Sequence, residues 1–207
     1  MHFHMWQTRQ EFTTLCDEIK QSGTLPLYLG FKDTWTCLAP WNALAVGLTD
    51  SDTCNQVNMG NTTFSDTYGP VVEKMRALLD YAEKIRMHTV ITMPVQHLPA
   101  GKLPCIRFGS YAIPQIKSVN PDMNIGSFTF PANDEESDNV LNSGIDFQDH
   151  HYPSEMSVDA MVQTFLLDTS DNAQEKLLKK FDSDWKCYNR DLIRKVQDYQ
   201  KEKEEQL

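Results

Sequence analysis

The segment spanning residues 24–48 constrains the fold most, because it is the densest apolar run in the chain. Apolar side chains occupy alternate positions in two stretches, 25–31 and 35–39, and Lys32 and Asp33 separate the two. Alternation with a period of two is typical of β-strands that bury one face. The segment therefore predicts a β-hairpin followed by a third strand, which together begin a sheet.

Two amphipathic helices are predicted on either side of a polar segment. Thr8 and Glu11 have the spacing of a capping box and introduce a helix from Arg9 to about Gln21. Residues 49–67 are mostly polar and turn-forming, which predicts a long loop. Pro70 suits the first turn of a second helix, over 70–87, whose apolar stripe would pack on the hairpin.

Further short strands and one short helix complete the predicted domain. Residues 88–95 and 124–130 are rich in β-favouring residues, and Gly109 and Ser110 suit the loop of a hairpin over 106–113. Residues 132–153 are weakly apolar and predict a mobile loop. A short helix is expected to start at Ser154 or Ser157. The predicted fold class is α+β, an antiparallel sheet of hairpins packed by helices, with a long C-terminal helix.

The C-terminal residues 172–207 contain neither glycine nor proline and carry apolar residues at steps of three and four. One uninterrupted helix of about 45–50 Å is predicted from this length, which exceeds what a compact domain usually covers. We therefore expect a single domain over 1–171, with the helix either packed on it or projecting. Its candidate partner-binding residues are Phe181, Trp185, Tyr188 and Leu192.

Negative charge is concentrated in one segment. Residues 118–171 contain 11 acidic residues and no lysine or arginine, whereas the segments before and after it are nearly balanced. A local acidic loop region of this kind predicts contact with a basic surface on a partner. The candidate contact residues there are Asp134, Glu135, Glu136 and Asp138. The acidity argues against direct binding of nucleic acid.

A second cluster in the same segment contains the types of ligand that divalent metals prefer. Its members are Asp146, Asp149, His150 and His151. A metal held there would lower the pKa of a bound water for hydrolysis. The spacing is poor, however, because adjacent histidines in an extended chain point to opposite faces. A solvated acidic loop is the favoured interpretation.

Cysteine spacing and hydropathy bear on the compartment. The five cysteines are widely spaced and form no CxxC pair, which predicts free, mostly buried thiols in a reducing, cytoplasmic environment. No apolar run approaches the roughly 20 residues that span a bilayer, so no membrane partner is expected.

The sequence names no reaction, and we predict neither catalytic residues nor a cofactor. The preferred hypothesis is a soluble, non-catalytic interaction or assembly protein. Its partner would be another protein, contacted through the acidic surface and the C-terminal amphipathic helix, or a second copy of the chain. A viral or virus-related origin is a guess based only on the lack of a motif. The alternative is a metal-dependent hydrolase built on the Asp/His cluster.

Overall fold

The computed structural model describes residues 8–82, 105–106, 112–135 and 152–205. This part of the chain is 67% helix and 2% strand. Its two strands, β1 (Leu27–Tyr28) and β2 (Cys105–Ile106), have two residues each and pair in parallel. The predicted α+β class, with an antiparallel sheet of hairpins, is therefore wrong. The helices are α1 (Arg9–Gln21), α2 (Trp35–Leu48), α3 (Thr53–Met59), α4 (Phe64–Thr67), α5 (Gly69–Ala77), α6 (Ala112–Val119), α7 (Val158–Leu167), α8 (Ala173–Tyr188) and α9 (Arg190–Glu204).

Helix α1 has the limits that the sequence predicts. The Thr8 hydroxyl accepts a hydrogen bond from the Glu11 amide at 3.2 Å, and the Glu11 carboxylate accepts one from the Thr8 amide at 3.4 Å. These two bonds satisfy amides that the first turn of a helix leaves unpaired. Gly23, just beyond the end, adopts a φ of +82°, which glycine tolerates without strain. The capping-box prediction is confirmed.

Helix α2 replaces the second arm of the predicted hairpin and the strand after it. The helix contacts α5 and α7, and seven of its residues are buried. Because neighbours cover it on several sides, its sequence lacks the polar stripe that identifies a surface helix. Over a few positions its apolar residues alternate by coincidence, and this alternation resembles the pattern of a strand. The first arm contributes only β1 and irregular chain to the core.

The predicted loop over 49–67 contains the two short helices α3 and α4 instead. In α3, the Asp52 carboxylate accepts hydrogen bonds from the side chains of Asn55 and Gln56. In α4, Thr63 and Asp66 form a second capping box, and Phe64 is fully buried. The polar residues of this segment therefore stabilise the ends of two short helices, and the buried apolar residues between them anchor the helices in the core. The segment does not form an extended loop.

Helix α5 begins with Pro70 in its first turn and buries Val71, Val72 and Met75, as predicted. A 3₁₀ helix, Leu78–Tyr81, continues it. Its partners are α2 and α8, since the predicted hairpin does not exist. The helix predicted over 70–87 ends early, because Ala82 is extended and forms a parallel β-bridge with Leu27. Residues 83–87 and the predicted strand over 88–95 lie outside the described residues.

The remaining sheet predictions fail where the structure describes them. The second arm of the 106–113 hairpin runs into α6, which starts at Ala112; residues 107–111 lie outside the described chain. Residues 124–130 are irregular and form no strand in the structure. Phe128 and Phe130 from this segment pack on Phe12 of α1, with ring centroids 6.1 and 5.7 Å apart. These aromatic residues cover a helix. Their β-propensity alone does not show whether they pack on a helix or belong to a strand.

The predicted helix after Ser154 is present as a 3₁₀ turn, Ser154–Met156, followed by α7. The four residues predicted for its apolar face are all buried, namely Val158, Met161, Val162 and Phe165. The last predicted helix is two helices, α8 and α9, divided at Asn189. Residues of α8 belong to the same hydrophobic core as α1, α2, α5 and α7.

An acidic residue of α8 caps α4 from outside. The Asp182 carboxylate accepts hydrogen bonds from the Phe64 amide at 2.7 Å and from the Ser65 amide at 3.2 Å, and also from the Ser65 hydroxyl. A four-residue helix is too short to be stable by itself. The α8 carboxylate therefore fixes α4 by satisfying its first amides.

We predict that Asp182→Ala lowers the free energy of unfolding by about 1–2 kcal/mol, the usual cost of losing a helix cap. Urea denaturation followed by circular dichroism measures it. Asp184→Ala is the matched control on the same helix, because its carboxylate pairs only with Lys180 at the surface, at 2.8 Å. It should change stability by no more than about 0.5 kcal/mol. Equal effects of the two substitutions would contradict the capping role.

Candidate functional site

Two of the four candidate residues of the C-terminal segment are buried in the molecule. Phe181 is 0% exposed and Trp185 is 2% exposed. Both rings pack against a group of aromatic side chains from other elements, and Phe181 has its ring centroid 4.9–5.8 Å from those of Phe64, Tyr68, Tyr152 and Trp41. These two residues anchor α8 in the core, so in this fold no partner reaches them.

The other two candidates lie at the surface. Tyr188, the last residue of α8, and Leu192, in the first turn of α9, are each 48% exposed. Tyr199, two turns further along α9, is 59% exposed. We call Tyr188, Leu192 and Tyr199 the outer strip. None of the described residues of α9 is fully buried.

The division between buried and exposed residues coincides with the helix break at Asn189. Its φ of −101° and ψ of 12° depart from helical values, and the helical pattern resumes at Arg190. Asparagine competes with helical hydrogen bonding and is favoured at the start of a helix, so a break needs neither glycine nor proline. The single long helix predicted from the sequence is therefore wrong.

Asn58 of α3 joins both C-terminal helices to the body. Its side-chain oxygen accepts a buried hydrogen bond from the Trp185 indole N–H at 2.9 Å. Its backbone carbonyl accepts one from the Gln197 side chain of α9 at 3.3 Å. Helix α9 thus lies against α3 through one side, where Ile193 packs on the core. Leu192 and Tyr199 lie on the exposed part of α9.

An open groove runs between α3 and α9 beside the outer strip, with a volume of about 660 Å³. Its apolar lining comes from Met59 of α3 and from Val196 and Tyr199 of α9. Lys195 and Lys203 stand at its rim, and the Lys203 ammonium lies 5.1 Å from the centre of the Tyr199 ring. An apolar floor with a charged rim is the usual composition of a protein contact surface.

The described carboxylates of the acidic segment are spread over several elements. Asp134 accepts a hydrogen bond from the Gln10 amide at 2.6 Å and so helps to cap α1. Asp159 accepts one from the Thr34 hydroxyl at 2.6 Å. Hydrogen bonds from Ser170 and from Lys176 hold the pKa of Asp168 well below its usual range. Several acidic residues therefore stabilise the fold, and the segment does not present them as one surface in the described chain.

The other acidic candidates are only partly described. The Glu135 amide donates a hydrogen bond to the side-chain oxygen of Asn133 at 2.9 Å. Glu136 and Asp138 lie outside the described residues, as do the four candidate metal ligands Asp146, Asp149, His150 and His151. Within the ranges that the structure describes, no three His, Cys, Asp or Glu side chains are grouped closely enough to hold a metal ion.

The structure shows three contributors to the groove that the sequence prediction did not include. Met59, Val196 and Tyr199 line it, although only Leu192 and Tyr188 were predicted in its neighbourhood. The signal for α9 was present: Leu192, Val196 and Tyr199 have helical spacing after an asparagine at a possible cap. Met59 had no signal, because it reaches the groove through the packing of α3.

Comparisons with known proteins identify no relative: the sequence matches no protein family and no curated protein. Among the described residues, no helix has the length and apolar character needed to span a bilayer.

The described cysteines differ sharply in access. Cys16, Cys37 and Cys54 are buried, and Cys187 of α8 is exposed. Burial, together with a smaller effect of the Asp159 carboxylate, raises the pKa of the Cys37 thiol to about 12. Below that pH the folded protein keeps this thiol protonated, so Cys37 is unsuited to act as a nucleophile.

We predict that iodoacetamide at pH 8 alkylates Cys187 rapidly in the folded protein and leaves Cys37 unmodified, because the thiolate is the reacting form. Peptide mapping by mass spectrometry follows both residues in one sample. In urea, where burial no longer raises its pKa, Cys37 should react at a rate similar to that of Cys187. Rapid alkylation of Cys37 in the native protein would contradict its burial.

Proposed function

We propose that this chain is a non-catalytic interaction or assembly protein that binds another protein molecule through the outer strip and the adjoining groove. One observation carries the proposal: Tyr188, Leu192 and Tyr199 are exposed at the surface, while Ile193 and Gln197 hold α9 to the core and to α3. Exposed single apolar residues are common, but a contiguous set beside an apolar groove is typical of a binding surface.

The arrangement of α8 and α9 supports this proposal. Phe181 and Trp185 fix α8 in the core, and Asn58 connects both helices to α3. The outer strip is therefore displayed from an element that is already ordered. A helix face that is already ordered loses little conformational entropy on binding, which favours helix-mediated recognition.

The acidic segment has a smaller part in the proposal than the sequence suggested. Asp134, Asp159 and Asp168 each accept hydrogen bonds from within the chain. A carboxylate that caps a helix or closes a turn is less available to a basic partner. We therefore assign recognition to the outer strip. Among the described residues, no observation favours the alternative metal-dependent hydrolase.

The proposal places the protein in a reducing compartment such as the cytoplasm. Its support is the placement of Cys16, Cys37 and Cys54, which are buried in the hydrophobic core. Disulfides are rare in such compartments, and buried free cysteine behaves there as a small apolar residue.

Site-specific photo-cross-linking tests the proposed surface. We predict that a benzoylphenylalanine at position 192 gives a discrete cross-linked protein product on irradiation in extracts of the natural source, because a bound partner covers this position. The matched control is position 167 at the end of α7, where Leu167 is 56% exposed but far from the groove lining. Equal yields of cross-linked protein at 192 and 167 would contradict the proposal.

A further inference from the structure

We propose that α9 is a hinged strap over α3, which opens at Asn189 while the rest of the molecule stays folded. The structure shows the closed form. Three observations carry the proposal: how little of α9 is buried, how loosely it lies against α3, and how weakly its junction with α8 is held. The opening itself does not depend on the proposed function.

The two C-terminal helices are held to the molecule very differently. Helix α8 has five buried residues, and α9 has none among those that the structure describes. The two helices have nearly equal lengths, 16 and 15 residues, so the difference lies in their packing. Burial of apolar side chains is the main source of the free energy that holds an element in place. Helix α9 is therefore attached much more weakly than α8.

The contact between α9 and α3 is loose. The Gln197 side chain donates its hydrogen bond to the Asn58 carbonyl at 3.3 Å, whereas such bonds are usually about 2.9–3.0 Å long. The apolar contact of α9 with the core comes from Ile193, which is only partly buried. Between Met59 and Val196 lies the open groove of about 660 Å³. Closely packed helices leave no space of this size between them, so α9 loses little packing when it leaves α3.

Asn189 is the point at which α9 turns away from α8. Its φ of −101° and ψ of 12° are not helical, yet its amide donates to the Trp185 carbonyl and its carbonyl accepts from the Ile193 amide, both at 2.9 Å. A single residue therefore carries the change of direction. Residues 186–188 and 190–192 are exposed, so neighbouring elements do little to hold the junction. Hinges are typically one or a few residues of this kind at the ends of elements.

Opening has a consequence for the proposed contact surface. A free helix of 15 residues is only marginally stable in water, so α9 loses helical hydrogen bonds when it leaves α3. The groove is lost at the same time, because α9 forms one of its walls. A partner that binds the outer strip and the groove therefore stabilises the closed form, and loss of the partner favours opening. This step alone rests on the proposed function.

Hydrogen exchange of the full chain under native conditions, followed by mass spectrometry, tests the opening. The central amides of α9, residues 194–200, are compared with those of α8, so that fraying at the C-terminal end does not contribute. Relative to their rates in an unfolded chain, the α9 amides should exchange about tenfold faster or more. Low urea should accelerate exchange in α8 more steeply, since global unfolding exposes far more surface than the opening of one helix. Equal protection and equal urea dependence in the two helices would overturn the proposal.

Two substitutions separate the motions of the two helices. Ile193→Ala should increase exchange in α9 by about fivefold or more and leave α8 unchanged, because Ile193 contacts the core only when α9 is closed. Phe181→Leu, which keeps much of the buried volume, should increase exchange in α8 and leave the opening of α9 unchanged, because Phe181 stays buried in both forms. If each substitution accelerated both helices equally, the chain would unfold as one unit and the proposal would fail.

The two proposals fail separately. Equal protection of α8 and α9 overturns the opening, whatever cross-links at position 192. Equal cross-linking at positions 192 and 167 overturns the proposed function, and faster exchange in α9 would still establish the opening.

Discussion

The packing of Phe181 within a group of aromatic side chains is the interaction on which the rest of the structure depends. Its neighbours come from three separate parts of the chain, so one ring connects α8 to α2, to α4 with the residue after it, and to the segment before α7. Aromatic pairs at such distances add to the free energy of burial. Polar edges are satisfied as well: the Tyr68 and Tyr152 hydroxyls lie 3.0 Å apart, and the Trp41 indole donates to Tyr152 at 3.3 Å.

This core also determines where the contact surface begins. Helix α8 is held by Phe181 and Trp185, and α9, which follows the break at Asn189, contacts α3. Beyond the break, α9 contributes only partly buried side chains to the body. The outer strip thus follows a stretch whose fully buried residues end at Trp185, with apolar residues continuing past it. The proposed partner would cover what the core leaves exposed.

The elements that sequence reasoning predicted correctly share one property, a clear polar side opposite an apolar one. Helices α1, α5 and α7 have it, and α1 and α5 also have a capping box and a proline, respectively, at the start. Helix α2 is covered by α5 and α7, so its sequence has no polar stripe from which the helical repeat could be recognised. Helices α3 and α4 depend on partners distant in sequence, namely Trp185 with Asn58 and Asp182 with Phe64. Local sequence does not contain those contacts.

The candidate site was predictable in part for the same reason. Tyr188 and Leu192 were identified from helical spacing, and they are exposed; Phe181 and Trp185 share that spacing but lie in the core. Only the three-dimensional position of α3, and the break at Asn189, distinguish the two pairs. A count of charges along the acidic segment does not show that Asp134 helps to cap α1 or that Asp159 accepts a hydrogen bond from Thr34, and the acidic partner surface stays a prediction.

The fully buried residues of the C-terminal helices end at Trp185, and the exposed outer strip begins at Tyr188. Guanidinium denaturation of Phe181→Ala and Leu192→Ala tests this division. The account predicts a loss of about 3–5 kcal/mol for Phe181→Ala, the usual cost of removing a buried aromatic ring. It predicts a change within about 0.5 kcal/mol for Leu192→Ala, as for most surface substitutions. Similar losses for the two variants would contradict the account.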